Sequence, residues 1–270
     1  MWLSRNFTEG HNYLNGFDWN FKFWKNWYWQ GELFLSETKE INDTLLFKSK
    51  RQFGSTGHDA GFNGEKYYGT GIHLALIREG RNYSFSIVQN NFSPTYQTYN
   101  GMFPSVNCRI TNLSNSYTFH FNKKIIQNVR INLPLKMGYN YDGVFKELVI
   151  QPGFSVNLIG QTMINATYMA LNRERFSEIL FEGVNRATFM VRSVPVKGVT
   201  LSINGQAGRF IYRTSSPVLG KGINISTSLT LEPISRLKTS FSWSTARLND
   251  NEDNTEFYNG HIFRNITTFQ

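Results

Sequence analysis

The sequence predicts an all-β chain, an antiparallel transmembrane β-barrel, and three observations carry that expectation. The first is alternation over an unusual length at residues 126–141. Val129, Ile131, Leu133, Leu135, Met137 and Tyr139 fall on one parity, and Asn128, Arg130, Asn132, Lys136, Gly138 and Asn140 on the other, with Pro134 out of step. Strand side chains point alternately to opposite faces, so this reads as one extended strand with an apolar and a polar face. Soluble strands run about 5–6 residues, whereas a strand tilted across a bilayer needs roughly 9–11. The second observation is an aromatic crowd at a turn, where Trp24, Trp27 and Trp29 surround Lys25-Asn26. Tryptophan favours the membrane–water interface, where its ring meets both media.

The third is the sorting of connections. Tight turns at 25–26, 79–80, 123–124, 160, 197–198 and 235–236 interleave with longer loops at 39–64, 91–112, 172–183, 213–221 and 249–256, the 142–143 tip being the weak member of the long set. Membrane barrels have short periplasmic turns and longer outer loops, and a β-sandwich has no reason to sort its loops this way.

Taken in order, the first hairpin sets Phe17, Trp19, Phe21 and Phe23 against Asp18, Asn20 and Lys22, then Trp27, Trp29, Leu33 and Leu35 against Gln30, Glu32 and Ser36. After a polar loop, strands follow at 65–78, with Tyr68, Thr70, Ile72, Leu74 and Leu76 on one parity, and through Tyr83, Phe85 and Ile87. Tyr117, Phe119 and Phe121 precede the 126–141 strand; Leu148, Ile150, Phe154, Val156 and Leu158 follow it. Further strands are expected at 162–171 and 186–196, through Val199, Leu201 and Ile203, through Ile223, Ile225, Leu229 and Leu231, through Leu237, Phe241 and Trp243, and at 257–270. This gives about 13 strands by periodicity. Bacterial barrels have even numbers, so the odd count implies part of a barrel of 14 or more strands, a single domain over 1–270 incomplete at both ends.

Composition agrees. Phe 23, Tyr 13 and Trp 6 with only 17% charged residues favours strands, and no apolar run approaches the ~18–20 residues of a membrane helix. Cys108 stands alone, so no intrachain disulfide forms. The opening residues carry no secretory signal, which an outer-membrane protein needs, so a processed chain or fragment is expected. The charge of +9 is scattered; the one dense run, Lys48, Ser49, Lys50 and Arg51, suits a solvated loop or contact with anionic lipid headgroups and lipopolysaccharide. No motif accompanies the charge that would point to nucleic acid.

Little chemistry is visible. The five histidines lack the short spacings of zinc sites, and the acidic loop 249–254 offers oxygen ligands without the glycine and terminal glutamate of a calcium loop. No metal, cofactor or catalytic residue is assigned, and an enzyme is not expected. Asp18, Lys22, Glu32, His120, Arg130, Lys136 and Lys238 are expected to line the interior; Trp19, Trp24, Trp27, Trp29 and Trp243 are expected at the membrane interface.

The segment 83–109, YSFSIVQNNFSPTYQTYNGMFPSVNCR, resembles the passage of a strand, F-x-P and N-G-F-x-P in a barrel family of unknown function from Bacteroidota outer membranes. Residues 21–27 and the closing FYNGHIFRNITTFQ are similar to the same family. The resemblance implies a Gram-negative outer-membrane barrel that often follows a family-9-type carbohydrate-binding module, hence an association with glycans; it supplies no catalytic residues. Three functions compete: a membrane anchor or scaffold or passive channel linked to glycan binding or uptake, a soluble β-sandwich binding module, and a barrel-embedded hydrolase. A sandwich would need a hidden apolar face, and a hydrolase a nucleophile brought to a base from distant strands.

Overall fold

The computed structural model describes residues 1–46, 51–99, 105–121 and 125–269. The run Lys48 to Lys50, the Lys123-Lys124 turn and residue 270 therefore lie outside the described residues. Seventeen strands form an antiparallel sheet, with no α-helix among the described residues. In chain order they are β1 (Trp2–Phe7), β2 (Gly10–Phe23), β3 (Trp27–Lys39), β4 (Lys66–Glu79), β5 (Tyr83–Phe92), β6 (Cys108–His120), β7 (Ile126–Asn132), β8 (Leu135–Tyr139), β9 (Phe145–Ile150), β10 (Gly153–Leu158), β11 (Thr162–Phe176), β12 (Ile179–Glu182), β13 (Arg186–Val196), β14 (Val199–Tyr212), β15 (Val218–Ile234), β16 (Leu237–Asp250) and β17 (Glu256–Phe269).

The expected count of about 13 rises to 17 for two reasons. Two strands, β1 and β12, were not foreseen. Two others are each divided by a proline, because proline has no N–H to give a ladder. The stretch 126–141 is thus not one strand but β7 and β8, separated by Pro134, and β9 and β10 are separated by Pro152. The charged loop expected at 172–183 is largely a hairpin, since β11 continues to Phe176 and pairs with β12. Phe181 and Val184 are buried with Ile211 beside it, while Arg173 meets Glu182 across the hairpin at 3.5 Å. Charged residues suit a strand pair in water as well as they suit a loop.

The chain forms two compact units. The first comprises Met1–Gly80, Ser84–Leu113 and Lys136–Glu147, and the second Arg81–Tyr83, Ser114–Leu135 and Leu148–Gln270. In the first, β2, β3, β4 and β5 pair in sequence with unbroken register. Residues directly opposite share a face, so Phe21, Trp29, Leu76 and Ile87 make one apolar row and Phe17, Leu33 and Ile72 another. On the other face run Asp18, Glu32, His73 and Asn90.

The second unit is sorted in the same way. Phe119, Val129, Val156, Ile164, Val191, Ile203, Thr227, Trp243 and Phe263 form a row in register. One residue along each strand, on the opposite face, lie His120, Asn128, Asn157, Met163, Arg192, Ser202, Ser228, Ser242 and Arg264. Turns at 197–198 and 235–236 are two residues long and 213–217 and 251–255 are longer, as the sorting expects, but the expected long loop at 172–183 contains a two-residue turn at 177–178. Gly198, with φ 82°, supplies the left-handed position that a two-residue hairpin needs.

Trp19 lies flat over Gly31, its cross-strand partner. A Cβ there would stand 2.1 Å from the indole. Gly31→Ala should displace the Trp19 ring and destabilise the folded state by about 1–3 kcal/mol. Near-ultraviolet circular dichroism and denaturant titration would check this; an unchanged tryptophan signal would refute the stacking.

Candidate functional site

In the first unit, the loop between β5 and β6 folds back onto the polar face of β2, β3 and β4. Gly69 makes room for it, since a Cβ there would lie 2.3 Å from Tyr96 Cα. Side chains of the strands and of the loop each meet the other's backbone. Asn12 Nδ2 donates to Gln97 O at 3.2 Å and Asn12 Oδ1 accepts from Tyr99 N at 3.1 Å. Gln97 N donates to Ser36 Oγ at 3.3 Å, Thr95 Oγ1 to Tyr68 O at 2.6 Å, and Thr70 N to Ser93 Oγ at 2.8 Å. Buried backbone groups need such partners, which is why polar Asn12, Ser36 and Thr38 are fully buried at a strand end. Burial pushes the Tyr96 hydroxyl up to about 12, with Glu32 adding to it.

A second loop, between β3 and β4, closes over the same end. Glu40 N donates to Glu65 O and Phe53 N to His58 O. Phe53 is buried edge-on against Tyr67, ring centroids 5.4 Å apart. The β8–β9 turn joins in: Ser55 Oγ donates to Asp142, and Tyr141 N donates to Asn107 Oδ1 at 3.0 Å. The β3–β4 and β5–β6 loops line a partly open cavity of about 910 Å³ whose walls include Glu40, Phe53, Phe62, Tyr67, Tyr99 and Asn107.

Glu40 is the unusual group in that cavity. It is 2% exposed. Tyr67 Oη donates to its Oε1 at 3.0 Å, and a further hydrogen bond joins the Tyr67 and Tyr99 hydroxyls. Glu40 Oε2 is buried with no hydrogen-bond partner. Burial holds the Glu40 carboxyl above the usual range, and the nearby Glu65 and Asp59 charges push the same way against the Tyr67 hydrogen bond and the pull of the Asn63 backbone N–H. Glu65 behaves oppositely: burial raises it, but bonds from Asn63 and His58 outweigh that and leave it lowered. Among the described residues no cluster of His, Cys, Asp or Glu is arranged to hold a metal. In the 249–254 loop, Asp250 Oδ1 accepts from Glu252 N and Asp253 Oδ1 from Thr255 N, so these carboxylates shape turns.

The residues expected inside lie on polar faces. In the first unit Asp18 stands directly opposite Glu32, with His73 next to it; Lys22 lies 5.4 Å from the Tyr28 ring; Lys136 pairs with Glu147 at 2.6 Å. In the second, His120 bonds Arg81 O at 3.0 Å, Arg130 Nε donates to Thr118 Oγ1 at 3.3 Å, and Lys238 meets Glu232 at 2.9 Å. Of the tryptophans, Trp24 is 80% exposed in the turn with φ 50° and packs with Phe23 and Trp27. Trp29 sits edge-on to Trp19, and Trp243 lies midway along β16 beside Phe263.

Sequence periodicity places Ser36 on a polar parity and Glu40 in the 39–64 loop and does not single out Asn12, Thr38 or Tyr67. The available signal was Gly69-Thr70-Gly71 next to two long loops, since a strand glycine marks a close backbone approach. No protein family, curated protein or solved structure matched the chain.

Because the folded state holds the Glu40 proton more tightly than the unfolded chain, its contribution to stability is full below the ordinary carboxylate value of about 4.3 and is lost as pH rises through the raised folded value. Glu40→Gln has no proton to lose. Its Phe53 and Tyr99 amides should exchange more slowly than wild type near neutral pH and equally below about pH 4. Hydrogen exchange would read this, and exchange no slower at neutral pH would refute it.

Proposed function

We propose that the chain is a Gram-negative outer-membrane β-barrel protein, a membrane anchor or scaffold or passive channel linked to glycan binding or uptake, whose apolar sheet face meets lipid and lipopolysaccharide. The observation that carries this reading is that the apolar face is uncovered in each unit. Phe17 and Phe21 are 65% and 56% exposed in the first, and Phe154, Phe189 and Phe241 are 44–46% exposed in the second. A soluble sandwich would bury those rows against another sheet. The apolar parity of β15 from Ile223 to Leu231 spans about 27 Å along the strand, enough for the roughly 25 Å apolar band of a barrel. Trp24, Trp27 and Phe85 gather at a tight-turn end, as an aromatic girdle would. The loop 93–99 lying on the polar face supports a constricted interior, which favours a scaffold over an open pore.

Refolding the chain with lipids brominated at defined acyl depths tests embedding. Strong quenching of tryptophan, with Trp24, Trp27 and Trp29 reporting an interfacial depth, is expected; a monodisperse soluble protein with unquenched tryptophans would sink the reading. Planar-bilayer conductance then separates channel from scaffold. Phe189→Arg offers an independent check. On a lipid face it should cost about 2–4 kcal/mol, whereas on a water-facing surface the change stays within about 0.5 kcal/mol.

A further inference from the structure

We propose that the cavity under the β3–β4 and β5–β6 loops binds a small organic ammonium ion, its N–H donating to Glu40 Oε2 and its body lying against Phe53 and Tyr67. This goes beyond the membrane reading and does not depend on it. Glu40 Oε2 is buried, lines the cavity and has no hydrogen-bond partner, and native proteins seldom leave such an atom unpaired.

The neighbours define what is missing. Both Glu65 oxygens are taken, Oε1 by Asn63 Nδ2 at 2.7 Å and Oε2 by His58 Nδ1 at 2.9 Å, and Asp59 Oδ1 accepts from Gly61 N at 2.8 Å. Glu40 Oε1 already accepts from Tyr67. The open acceptor is thus one oxygen in a locally acidic setting, since Asp59 and Glu65 act on Glu40 electrostatically. Arg51 also lines the cavity, but none of the ion pairs among the described residues joins it to Glu40. A divalent metal would need several oxygens converging, and the described residues offer no such cluster. A neutral polyol would supply a donor but no charge. An ammonium supplies both, and aromatic faces attract cations; Phe53 and Tyr67 stand edge to face at the cavity wall. At about 910 Å³ the cavity has room for an organic body as well as the charged head.

The test uses the full 270-residue chain refolded in detergent, with calorimetric titration of phenethylammonium chloride, 2-phenylethanol and glucose. The alcohol matches the amine in shape and lacks only the charge. Saturable binding of phenethylammonium is expected, with 2-phenylethanol at least about tenfold weaker and Glu40→Gln reducing amine affinity by at least about tenfold. The amine–alcohol contrast is read in the wild-type chain and stands even if the variant fails to fold. Absence of saturable amine binding, equal affinity for amine and alcohol, glucose binding in preference to the amine, or full amine affinity in a folded Glu40→Gln variant would each overturn the proposal.

Discussion

The pairing of backbone N–H and C=O groups between antiparallel neighbours is the constraint on which the rest of this structure depends. A sheet whose two faces are both accessible has little core to hold it, and the described buried apolar cluster of Phe181, Val184 and Ile211 is small. The ladders therefore fix which face each side chain occupies. A slip of one residue would send every apolar side chain of a strand to the polar face. Next to the 197–198 turn Val196 pairs with Val199, the register then shifts between Val196 and Ser193, and from Ser193 and Leu201 it runs unbroken to Arg186 and Gly208. β14 and β15 then continue in register without interruption from Val199 and Leu231 to Tyr212 and Val218.

Where the ladder stops, other groups must complete it, and each unit shows how, the second at its prolines and the first at its tucked loop. Pro134 and Pro152 end strands, yet their carbonyls and neighbours remain bonded: Gln151 N donates to Pro134 O and Tyr168 N to Pro152 O. The β5–β6 loop keeps one backbone bond to β4, from Ser93 N to Thr70 O at 2.9 Å, and Asn12, Ser36 and Ser93 add side-chain hydrogen bonds to backbone groups on either side. The buried polar residues are the price of tucking a loop onto a sheet. Glu40 is the one member of that region whose second oxygen is left over.

Much of this was legible in the sequence because period-two alternation reports directly on face. Phe241 and Trp243 against Ser240, Ser242 and Ser244, or Val199, Leu201 and Ile203 against Thr200 and Ser202, gave strands that the structure contains. The failures share a cause. Arg173, Glu174 and Arg175 have no apolar parity to betray a strand, so β12 and the end of β11 looked like a loop. Leu135 and Met137 kept the parity of Val129 and Ile131, and alternation passes over a proline without registering the lost N–H. The tucked loop was invisible for a different reason. Its contacts join Asn12 to Gln97 and Tyr99, residues far apart in sequence, and nothing local to either end announces the pairing.

The two faces of the sheet also differ in what they tolerate, and that difference bears on the surrounding medium. Full burial of a large apolar side chain contributes about 1.5–3 kcal/mol, so aromatic residues left half open to water forgo much of it. A handful of them rivals the roughly 5–15 kcal/mol of net stability that a domain has. Phe17, Phe21, Phe154, Phe189 and Phe241 are such residues. Lipid chains would supply the missing apolar contact without disturbing a backbone already paired strand to strand. The distribution of charge argues the same way. From Phe119 to Phe263 the row across the second unit contains no ionisable side chain, while one residue away on the opposite face Arg192 and Arg264 stand among serines and asparagines. Water would accept a lysine or glutamate on either face at little cost. Along this row the face without charge is the face that carries the uncovered aromatics, and ionisable residues such as Arg247 join it only nearer the strand end.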